Sequence, residues 1–548
     1  MTIFIGGAWP YTNESLHLGH VAALLPGDVL ARYFRQKDEE VLYVSGSDCH
    51  GTPIAIRANR EKVTPGSIAD RYHEEFCQCF EKLGFTYDIY TRTDRPEHGA
   101  VVQGAFKRLL DKGLIYEKNV QQTFCINCNM FLPDRYIEGV CPHCGGSARG
   151  DQCESCSGIL EPEELLERRC GVCGSTPVTR DSKHFYLALS ALQETLKAYA
   201  KKAKGWRPNA VGLTRRYLAE GLQDRAVTRD LDWGVDVPVE GFEGKKVYVW
   251  VDAVLGYLSA SIQWAKESGK DWERFWKGAV TAYYIHGKDN IPFHTLILPA
   301  LLHGLGGLHI PDRIISSEHL TIEGNKLSKS RNWAIWAADI LDRYQPDSVR
   351  YFLLANGPER RDSNFSWDEF IGRHNSELLG VFGNLVNRSL VFIERYLDGA
   401  VPEGQTDGEL ERKLEALYGT VGRSIEAGEF KAALDAIFAL IRGTNKYFDA
   451  EQPWITLKTD PAACRNTLYG CVQAIANLAV LLEPFIPFSC CRIREFLGMS
   501  DNSWSYKEVS PQTKITNIRI LFERIDKSRI GEEAARLGRP DTPGALRQ

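Results

Sequence analysis

Residues 1–20 read MTIFIGGAWPYTNESLHLGH, and this stretch indicates the fold of the first domain. The apolar, β-rich run Thr2–Gly6 stops at a pair of glycines and predicts a strand, whereas the spacing of apolar residues from Leu18 to Phe34 predicts a helix. Short apolar runs that end in Gly or Asp recur at Glu40–Ser45, Lys246–Val251 and Thr281–His286. Because such strands alternate with longer helices, the sequence predicts an α/β protein with a doubly wound parallel sheet.

The alternation of strand and helix breaks twice along the chain. Between about residues 116 and 234 it gives way to a segment rich in cysteine and glycine and then to a mixed segment, which we interpret as an insertion into the sheet domain. From about residue 365 onward amphipathic helical patterns take over, at Glu369–Tyr396, Gly408–Ala427 and Cys464–Phe488. The C-terminal part is therefore predicted to be an α-helical bundle.

The composition is that of a folded protein with several domains. Of the 548 residues, 43% are hydrophobic and 25% are charged, which is an ordinary globular balance. The N-terminus has no basic leader, and the most apolar stretches contain Pro, His or Glu, so we expect no export and no membrane span. We therefore expect an intracellular, cytoplasmic protein. The net charge of −5 argues against non-specific coating of nucleic acid, although it allows a local basic groove.

Eight of the fifteen cysteines lie in the predicted insertion and form four Cys-x-x-Cys pairs. The pairs are Cys125 with Cys128, Cys141 with Cys144, Cys153 with Cys156, and Cys170 with Cys173. Two such pairs complete a tetrahedral site of four sulfur ligands, so four pairs predict two zinc ions. The alternative, a redox site of the thioredoxin type, needs only one pair. Since no acid or base pattern adjoins the cysteines, we expect both sites to be structural.

Two motifs that are far apart in the chain are suited to a nucleoside triphosphate. His17-Leu18-Gly19-His20 stands where the first helix begins, so two imidazoles share one helical face beside free backbone N–H groups, and Gly19 allows close approach. Lys326-Leu327-Ser328-Lys329-Ser330 offers two lysines on a loop that can close on phosphate. Each motif alone is a weak signal, because histidines near a turn and Lys/Ser loops are common. Their order around a doubly wound sheet is specific.

The two motifs resemble the signature motifs of the class I aminoacyl-tRNA synthetases. The resemblance implies an enzyme that forms an aminoacyl-adenylate from ATP, which enters with Mg²⁺, and then transfers the amino acid to tRNA. It implies catalytic roles for His17, His20, Lys326 and Lys329, and an ATP site made by these four with Gly19, Ser328 and Ser330. Because the carboxylate of the amino acid is already ionised, positioning and electrostatic stabilisation are expected to supply the rate.

Three further segments, around Trp9, from Trp250 to Tyr257 and around His294, resemble the methionyl-tRNA synthetase family. The resemblance implies that Asp48 holds the substrate ammonium group and that Arg229 pairs with Asp48. In that family the matching positions line the pocket for the side chain: Ala8, Trp9, Tyr11, Trp250, Ala253, Tyr257 and His294. A thioether is apolar and polarizable and favours aromatic contacts, which fits this set. The alternative for each aromatic residue is core packing.

The same resemblance assigns the metal ligands and a tRNA site. It groups Cys141, Cys144, Cys153 and Cys156 around one zinc ion and leaves for the second Cys125, Cys128, Cys170 and Cys173. Asn384, Arg388 and Trp454 match the anticodon-reading residues of the family, where an unpaired base can stack on an indole ring. The alternative is that Trp454 packs inside the bundle and that Arg388 is a solvated charge. We therefore expect a monomer whose partners are L-methionine, ATP and tRNA(Met).

Pattern and resemblance together divide the chain into six segments. Residues 1–115 and 235–320 are the two halves of a Rossmann-like catalytic domain, and the connective insertion at 116–234 carries zinc knuckles at about 122–176. The remaining segments are a loop domain with the second motif at 321–364, a helical anticodon-binding domain at 365–515 and a C-terminal peptide at 516–548 that packs back on the core.

Four other interpretations fit the sequence less well. A synthetase for leucine, isoleucine or valine would need a much larger editing insertion than residues 116–234 provide, and one for cysteine would place metal ligands at the strand ends. A synthetase-like regulatory protein without catalysis is disfavoured by the two intact motifs. A small-molecule nucleotidyltransferase would leave the helix bundle with Trp454 unexplained.

Overall fold

The computed structural model describes residues 1–132, 136–150, 153, 160, 164–328, 332–406 and 408–538. In this part of the chain the strands are β1 (Thr2–Gly7), β2 (Glu40–Ser47), β3 (Ile89–Arg92), β4 (Ile115–Cys125), β5 (Met130–Phe131), β6 (Ile137–Val140), β7 (Ser147–Arg149), β8 (Leu166–Cys170), β9 (Val178–Leu187), β10 (Arg225–Ala226), β11 (Thr228–Asp230), β12 (Lys245–Val247), β13 (Val280–Gly287), β14 (Arg313–Ser317), β15 (Leu320–Ile322), β16 (Asn325–Lys326) and β17 (Ser363–Phe365).

The α-helices of the same residues are α1 (Leu18–Gln36), α2 (Thr52–Glu61), α3 (Pro65–Leu83), α4 (Pro96–Asp111), α5 (Gln193–Lys202), α6 (Pro208–Glu220), α7 (Val249–Ser268), α8 (Leu298–Leu305), α9 (Ala337–Arg343), α10 (Pro346–Ala355), α11 (Trp367–Arg373), α12 (Asn384–Tyr396), α13 (Gly408–Glu426), α14 (Phe430–Glu451), α15 (Pro453–Thr459), α16 (Pro461–Leu481), α17 (Pro487–Phe496) and α18 (Arg529–Ala534). Wider π-helical turns at Phe293–Ile297 and His374–Gly383 lead into α8 and α12.

A five-stranded sheet with the order β14-β13-β1-β2-β3 forms the centre of the fold. All four of its strand pairs are parallel. Alternate side chains of β1 enter different cores: Ile3 and Ile5 pack with α1 on one face, whereas Phe4 packs with α7 on the other. Helices therefore cover both faces, and the predicted doubly wound parallel sheet is confirmed.

The prediction that Lys246–Val251 forms a strand of this sheet is wrong. Only Lys245–Val247 is extended, and it pairs antiparallel with β11 outside the central sheet. The helix α7 begins at Val249, so Trp250 and Asp252 lie in its first turns. A short apolar run of this kind fits a buried helix start as well as a strand.

The region between β3 and β13 contains two smaller sheets. β4 and β9 are long antiparallel partners in a sheet with the order β10-β9-β4-β5, and a second sheet has the order β7-β6-β8. Cys125 and Cys170 lie at the ends of β4 and β8, and the described residues around them bury their apolar side chains in one small cluster. A segment with so small a core depends on additional cross-links to hold its turns.

The C-terminal half is helical, as predicted. α13, α14 and α16 pack against one another, and their buried residues join the same hydrophobic core as α1 and the central sheet. The predicted helix Cys464–Phe488 is interrupted, because α16 ends at Leu481 and α17 begins at Pro487. Proline favours a helix start at this position. No helix of the described residues is long and apolar enough to cross a membrane.

Candidate functional site

The first motif caps helix α1 at the carboxyl edge of the central sheet. His17 is the N-cap residue, and its backbone N–H donates to Nδ1 of His20 over 3.2 Å. The two imidazole rings stack with centroids 3.8 Å apart. Since Nδ1 of His20 accepts this bond, the proton of its neutral ring resides on Nε2. The pair therefore presents two rings beside the positive end of a helix, as an anion site requires.

The segment that follows the second motif pairs with the first motif in a short strand-like contact. The backbone N–H of Leu18 donates to Ile335 O over 3.0 Å, and that of Ala337 donates to Leu16 O over 2.7 Å. A Cβ atom placed on Gly19 would lie 3.1 Å from Cδ1 of Leu327, so the two motifs are in van der Waals contact. Only a residue without a side chain fits there comfortably.

The structure describes the first three residues of the second motif, Lys326 to Ser328. Lys326 is exposed on β16, and the Ser328 and Trp333 backbones exchange hydrogen bonds of 3.1 and 2.9 Å. Lys329 and Ser330 lie outside the described residues. The described part of the motif thus holds its first lysine in solvent, next to Leu327.

The predicted side-chain pocket lies between β1, β2 and α7. The indole of Trp9 occupies a slot next to two glycines: Cβ atoms added to Gly46 or Gly256 would approach its ring to 2.3 and 2.8 Å. The Trp9 and Tyr257 rings meet edge-on with centroids 6.3 Å apart. Ala8 is buried beside them at the end of β1. Aromatic edges and faces of this kind suit an apolar, polarizable ligand.

Two stacked histidines form one side of the pocket. The Tyr257 hydroxyl donates to Nε2 of His294 over 2.8 Å, because Nδ1 of His294 donates to Asn290 O over 2.9 Å. The ring of His286 stacks on that of His294 with centroids 4.1 Å apart. Burial lowers the pKa of His294 to about 4. The pocket is therefore lined by neutral imidazole at physiological pH.

Trp250, Ala253 and Tyr257 share one face of α7 because they are three and four residues apart. Trp250 donates its indole N–H to the Tyr11 hydroxyl over 3.0 Å and is 42% exposed, so it lies at the open end of the pocket. Ala253 is half-buried between Trp250 and Tyr257. The helix thus supplies three of the predicted pocket residues although the sequence suggested a strand end.

Asp48 follows β2 and is almost fully buried. Burial raises the pKa of its carboxyl group well above the usual value, and the nearby Asp252 carboxylate raises it further. A buried carboxylate with a raised pKa is a strong site for a cation, because a bound cation restores the charged form. This environment is what an ammonium-binding residue needs.

The predicted ion pair between Arg229 and Asp48 does not form in the described structure. The Arg229 guanidinium donates to Thr228 O over 2.9 Å and lies 4.1 Å from the centre of the Tyr248 ring. The cation–π contact and the carbonyl hold it on β11, away from Asp48.

Asp252, His50 and His98 were not identified as site residues from the sequence. Oδ2 of Asp252 lies 2.7 Å from Nδ1 of His50, and its other oxygen is hydrogen-bonded to Nε2 of His98. Nδ1 of His98 lies 2.7 Å from Oγ of Ser259. These residues are far apart in the chain, and the only signal was the His50 and Asp252 positions next to two predicted strand ends.

The cysteines form two clusters with the composition of metal sites. Cys125, Cys128, Cys170 and Cys173 bring their sulfur atoms within 4.8 Å of one another, and so do Cys141, Cys144 and Cys153. The grouping agrees with the one that the family resemblance implied, and Cys156 lies outside the described residues. Thiolates so arranged match the preferred ligands of zinc.

The predicted anticodon residues lie on one surface of the helical bundle. Arg388 donates to Asp449 Oδ1 over 2.7 Å and to Asn445 O over 2.6 Å, and its guanidinium lies 4.2 Å from the centre of the Phe448 ring. Trp454 is 49% exposed, with its ring 6.1 Å from that of Phe448. Asn384 is exposed at the start of α12. Phe448 thus brings Arg388 and Trp454 together.

Comparison with known proteins agrees with this geometry. Residues 3–390 match the family described as tRNA synthetases class I (M), and residues 400–538 match the anticodon binding domain of methionyl tRNA ligase. A doubly wound sheet with both motifs at its carboxyl edge defines a class I aminoacyl-tRNA synthetase.

The relatives narrow the class to one family. The chain is 58% identical to a methionine–tRNA ligase of Bacillus cereus strain 03BB102, over 98% of this chain and 99% of the relative. It is 57% identical, with the same coverage, to methionine–tRNA ligase 2 of Bacillus anthracis. The structure of a Mycobacterium tuberculosis methionyl-tRNA synthetase in complex with methionyl-adenylate aligns with a TM-score of 0.81 at 26% identity, over 96% of this chain and 100% of that one. The chain belongs to the methionyl-tRNA synthetase family.

Proposed function

We propose that this protein activates L-methionine with ATP to give methionyl-adenylate and pyrophosphate, and then transfers the methionyl group to the 3′ end of tRNA(Met). The observation that carries the proposal is the contact of Gly19 with Leu327, since it joins the two phosphate-binding motifs at the edge of the sheet that holds the aromatic pocket. Ligands of doubly wound sheets bind at this edge.

The activation step needs no general base. A carboxylate oxygen of methionine attacks the α-phosphorus of ATP, a new P–O bond forms, and the bond to the bridging oxygen breaks as pyrophosphate leaves. His17 and His20 are proposed to bind phosphate at the N-terminus of α1, while Lys326 and Lys329 neutralise the charge that builds on the leaving group. Gly19, Ser328 and Ser330 complete the proposed ATP site, and Mg²⁺ enters with the nucleotide.

Methionine is proposed to bind between Asp48 and the stacked histidines. Its ammonium group pairs with Asp48, and its thioether lies against the aromatic side chains of Trp9, Trp250 and Tyr257, with His294 at the far side. Tyr11, Ala8 and Ala253 form the remaining wall. Because Tyr257 donates to His294, the pocket keeps its polar atoms paired and presents apolar surface to the ligand.

Two zinc ions are proposed to hold the connective insertion. The first would be bound by Cys125, Cys128, Cys170 and Cys173, and the second by Cys141, Cys144, Cys153 and Cys156. Bound zinc supplies a structural cross-link here, because each set offers four thiolates and leaves no open position for a reacting water.

Recognition of tRNA is proposed to rest on the exposed bundle surface. Trp454 offers a face on which an unpaired anticodon base can stack, and Asn384 and Arg388 offer hydrogen bonds to its edges. We propose that the protein acts in the cytoplasm as a monomer, with the six segments predicted above as its domains.

Exchange of labelled pyrophosphate into ATP, measured with each of the twenty amino acids, tests the proposal. We expect exchange with methionine and none of comparable rate with the others. His20→Ala should lower the methionine-dependent rate at least about 100-fold, because a preorganised phosphate donor is lost. His303→Ala, which removes an exposed histidine from α8, is the matched control and should leave the rate unchanged. Folded, zinc-loaded protein without exchange for any amino acid would overturn the proposal.

A further inference from the structure

A buried polar cluster adjoins the proposed ammonium site. It consists of Asp252 and Ser259 from α7, His50 from the loop after β2, and His98 from α4, and we call it the Asp252 cluster. The carboxylate of Asp252 is fully buried, and both of its oxygens are bonded to imidazole nitrogens. Three separate elements therefore converge on one charged group, which is costly unless the group is well paired.

His50 links this cluster directly to Asp48. Its ring bonds Asp252, while its backbone N–H donates to Oδ1 of Asp48 over 3.3 Å. Among the described residues, neither carboxylate forms an ion pair with lysine or arginine, so histidines alone balance Asp252 and nothing balances Asp48. Asp48 is therefore the carboxylate of the two that a bound cation can pair with.

The other titratable groups that face Asp48 carry no charge at neutral pH. Tyr11 comes from the loop after β1, and Cys49 is the next residue in the chain. Burial raises the pKa of both Tyr11 and Cys49. Asp252 is therefore the charged group that acts on Asp48.

We propose, on the basis of the proposed function, that Asp252, His50 and His98 are positioning residues for methionine binding. The second carboxylate adds negative potential at the ammonium site, and the two imidazoles fix its place and limit its repulsion of Asp48. None of the three is proposed to touch the reacting atoms.

The arrangement makes methionine binding depend on pH in a defined direction. Asp48 must be ionised to bind the ammonium group, so KM for methionine rises as pH falls through the pKa of Asp48, which burial and then Asp252 raise. Removing the charge of Asp252 lowers the pKa of Asp48 and moves this rise to lower pH. Removing an imidazole leaves Asp252 less balanced and moves the rise to higher pH.

The experiment measures KM for methionine in pyrophosphate exchange from about pH 5.5 to 8.5 for the wild type, Asp252→Asn and His98→Gln, a range that spans a raised carboxyl pKa. For Asp252→Asn we expect KM for methionine at the alkaline end to rise about tenfold or more. The rise of KM in acid, the acid limb of the profile, should shift to lower pH, and KM for ATP should be unchanged. For His98→Gln we expect the acid limb to shift to higher pH. Opposite shifts from one cluster are not expected from a loss of packing.

Asp347→Asn is the matched control, because Asp347 is equally buried in the contact between α10 and α17, where it accepts from Ser489. It should change stability without moving the pH profile. If Asp252→Asn does not fold, two other variants test the inference. His98→Gln and the milder Ser259→Ala are both expected to shift the rise of KM to higher pH. If the wild type is active and the folded variants show the same midpoint in the pH profile of KM, this inference is wrong and the proposed function stands. A wild type that shows no methionine-dependent exchange overturns the proposed function and this inference with it.

Discussion

His286 and His294 are buried imidazoles that remain neutral. His286 is fully buried, and burial lowers its pKa well below the ordinary value, with His294 as the next contributor. Its Nδ1 donates to Gly287 O over 2.9 Å, which fixes the tautomer. Proteins seldom bury two rings in contact where protonation would be so unfavourable, and the stack therefore keeps its apolar character only while both rings are neutral.

The stack predicts a loss of stability in acid. The unfolded chain binds protons on these histidines below about pH 6.5 while the folded chain does not, so their contribution is complete above that pH and is lost as pH falls toward 4. His286→Phe keeps a stacked ring without titration. Between about pH 6.5 and 5, urea unfolding should show about 2 kcal/mol less acid destabilisation for this variant than for the wild type. Equal losses in the two proteins would contradict the prediction.

Among the described elements, the cysteine-bearing strands are the ones whose stability we expect to depend most on a ligand. The small cluster beneath β6, β7 and β8 buries few apolar side chains besides the cysteines themselves. Cys173 and Cys491 are both exposed, but only Cys173 belongs to a group of four thiols. A serine substitution removes one exposed thiol at either position, but only at Cys173 does it remove a thiol from a group of four.

We expect purified protein to contain about two zinc ions per chain. Cys173→Ser should reduce this to about one, because three remaining ligands bind a structural ion less tightly. Cys491→Ser should leave the content unchanged. Metal analysis after dialysis against a weak chelator measures both. Retention of the full zinc content by Cys173→Ser would contradict the assignment of that residue as a ligand.

Sequence patterns predicted some elements well and others badly for physical reasons. β1, β2, β13 and α1 were predicted within two residues at each end, because each has a clear apolar period and stops at Gly or polar residues. β3 and β14 are short edge strands of the central sheet, and their runs were not recognised. α7 was misjudged because the apolar run at its start is buried on several faces and shows no helical period.

The same limit applies to the site. Motif residues such as His17 and Gly19 could be named because their chemistry is legible in a four-residue segment. Asp252 could not be assigned a partner, since His50 and His98 reach it from two other elements and no local spacing records that contact. Contacts across elements depend on tertiary packing, and only the folded chain displays them.

At the scale of the whole molecule, the proposed adenylate formation and the proposed anticodon recognition occur at separate surfaces. Adenylate formation belongs to the edge of the central sheet, whereas the anticodon surface is built from α12, α14 and α15. Trp454 and Tyr396 are both exposed aromatic residues of the helical region, but only Trp454 lies beside Phe448 and Arg388.

Trp454→Ala should therefore separate the two half-reactions. Pyrophosphate exchange should be unchanged, while kcat/KM for charging of tRNA(Met) should fall about 10- to 100-fold, since stacking of one base contributes about 1–3 kcal/mol. Tyr396→Ala is the matched control and should leave both activities intact. If Trp454→Ala charges tRNA at the wild-type rate, the stacking role is wrong.

A buried ion pair lies where the sheet domain meets the bundle. The guanidinium of Arg350, in α10, is fully buried and pairs with Asp28 of α1 over 2.7 Å. It also donates to Phe485 O, just after α16, over 2.9 Å and to Leu83 O, at the end of α3, over 3.1 Å. One side chain therefore joins three helices and the segment between α16 and α17, from both halves of the chain.

The sheet domain and the helical bundle therefore share one hydrophobic interior. Helices α14 and α16 belong to the same close-packed core as α1, whose first turn carries His20 of the proposed phosphate-binding motif. If the chain were cut between the sheet domain and the bundle, each part would expose apolar surface that it now buries against the other. Arg350 would also lose its partners from the other part. The sheet domain and the helical bundle thus form one packed unit rather than two modules joined by a linker.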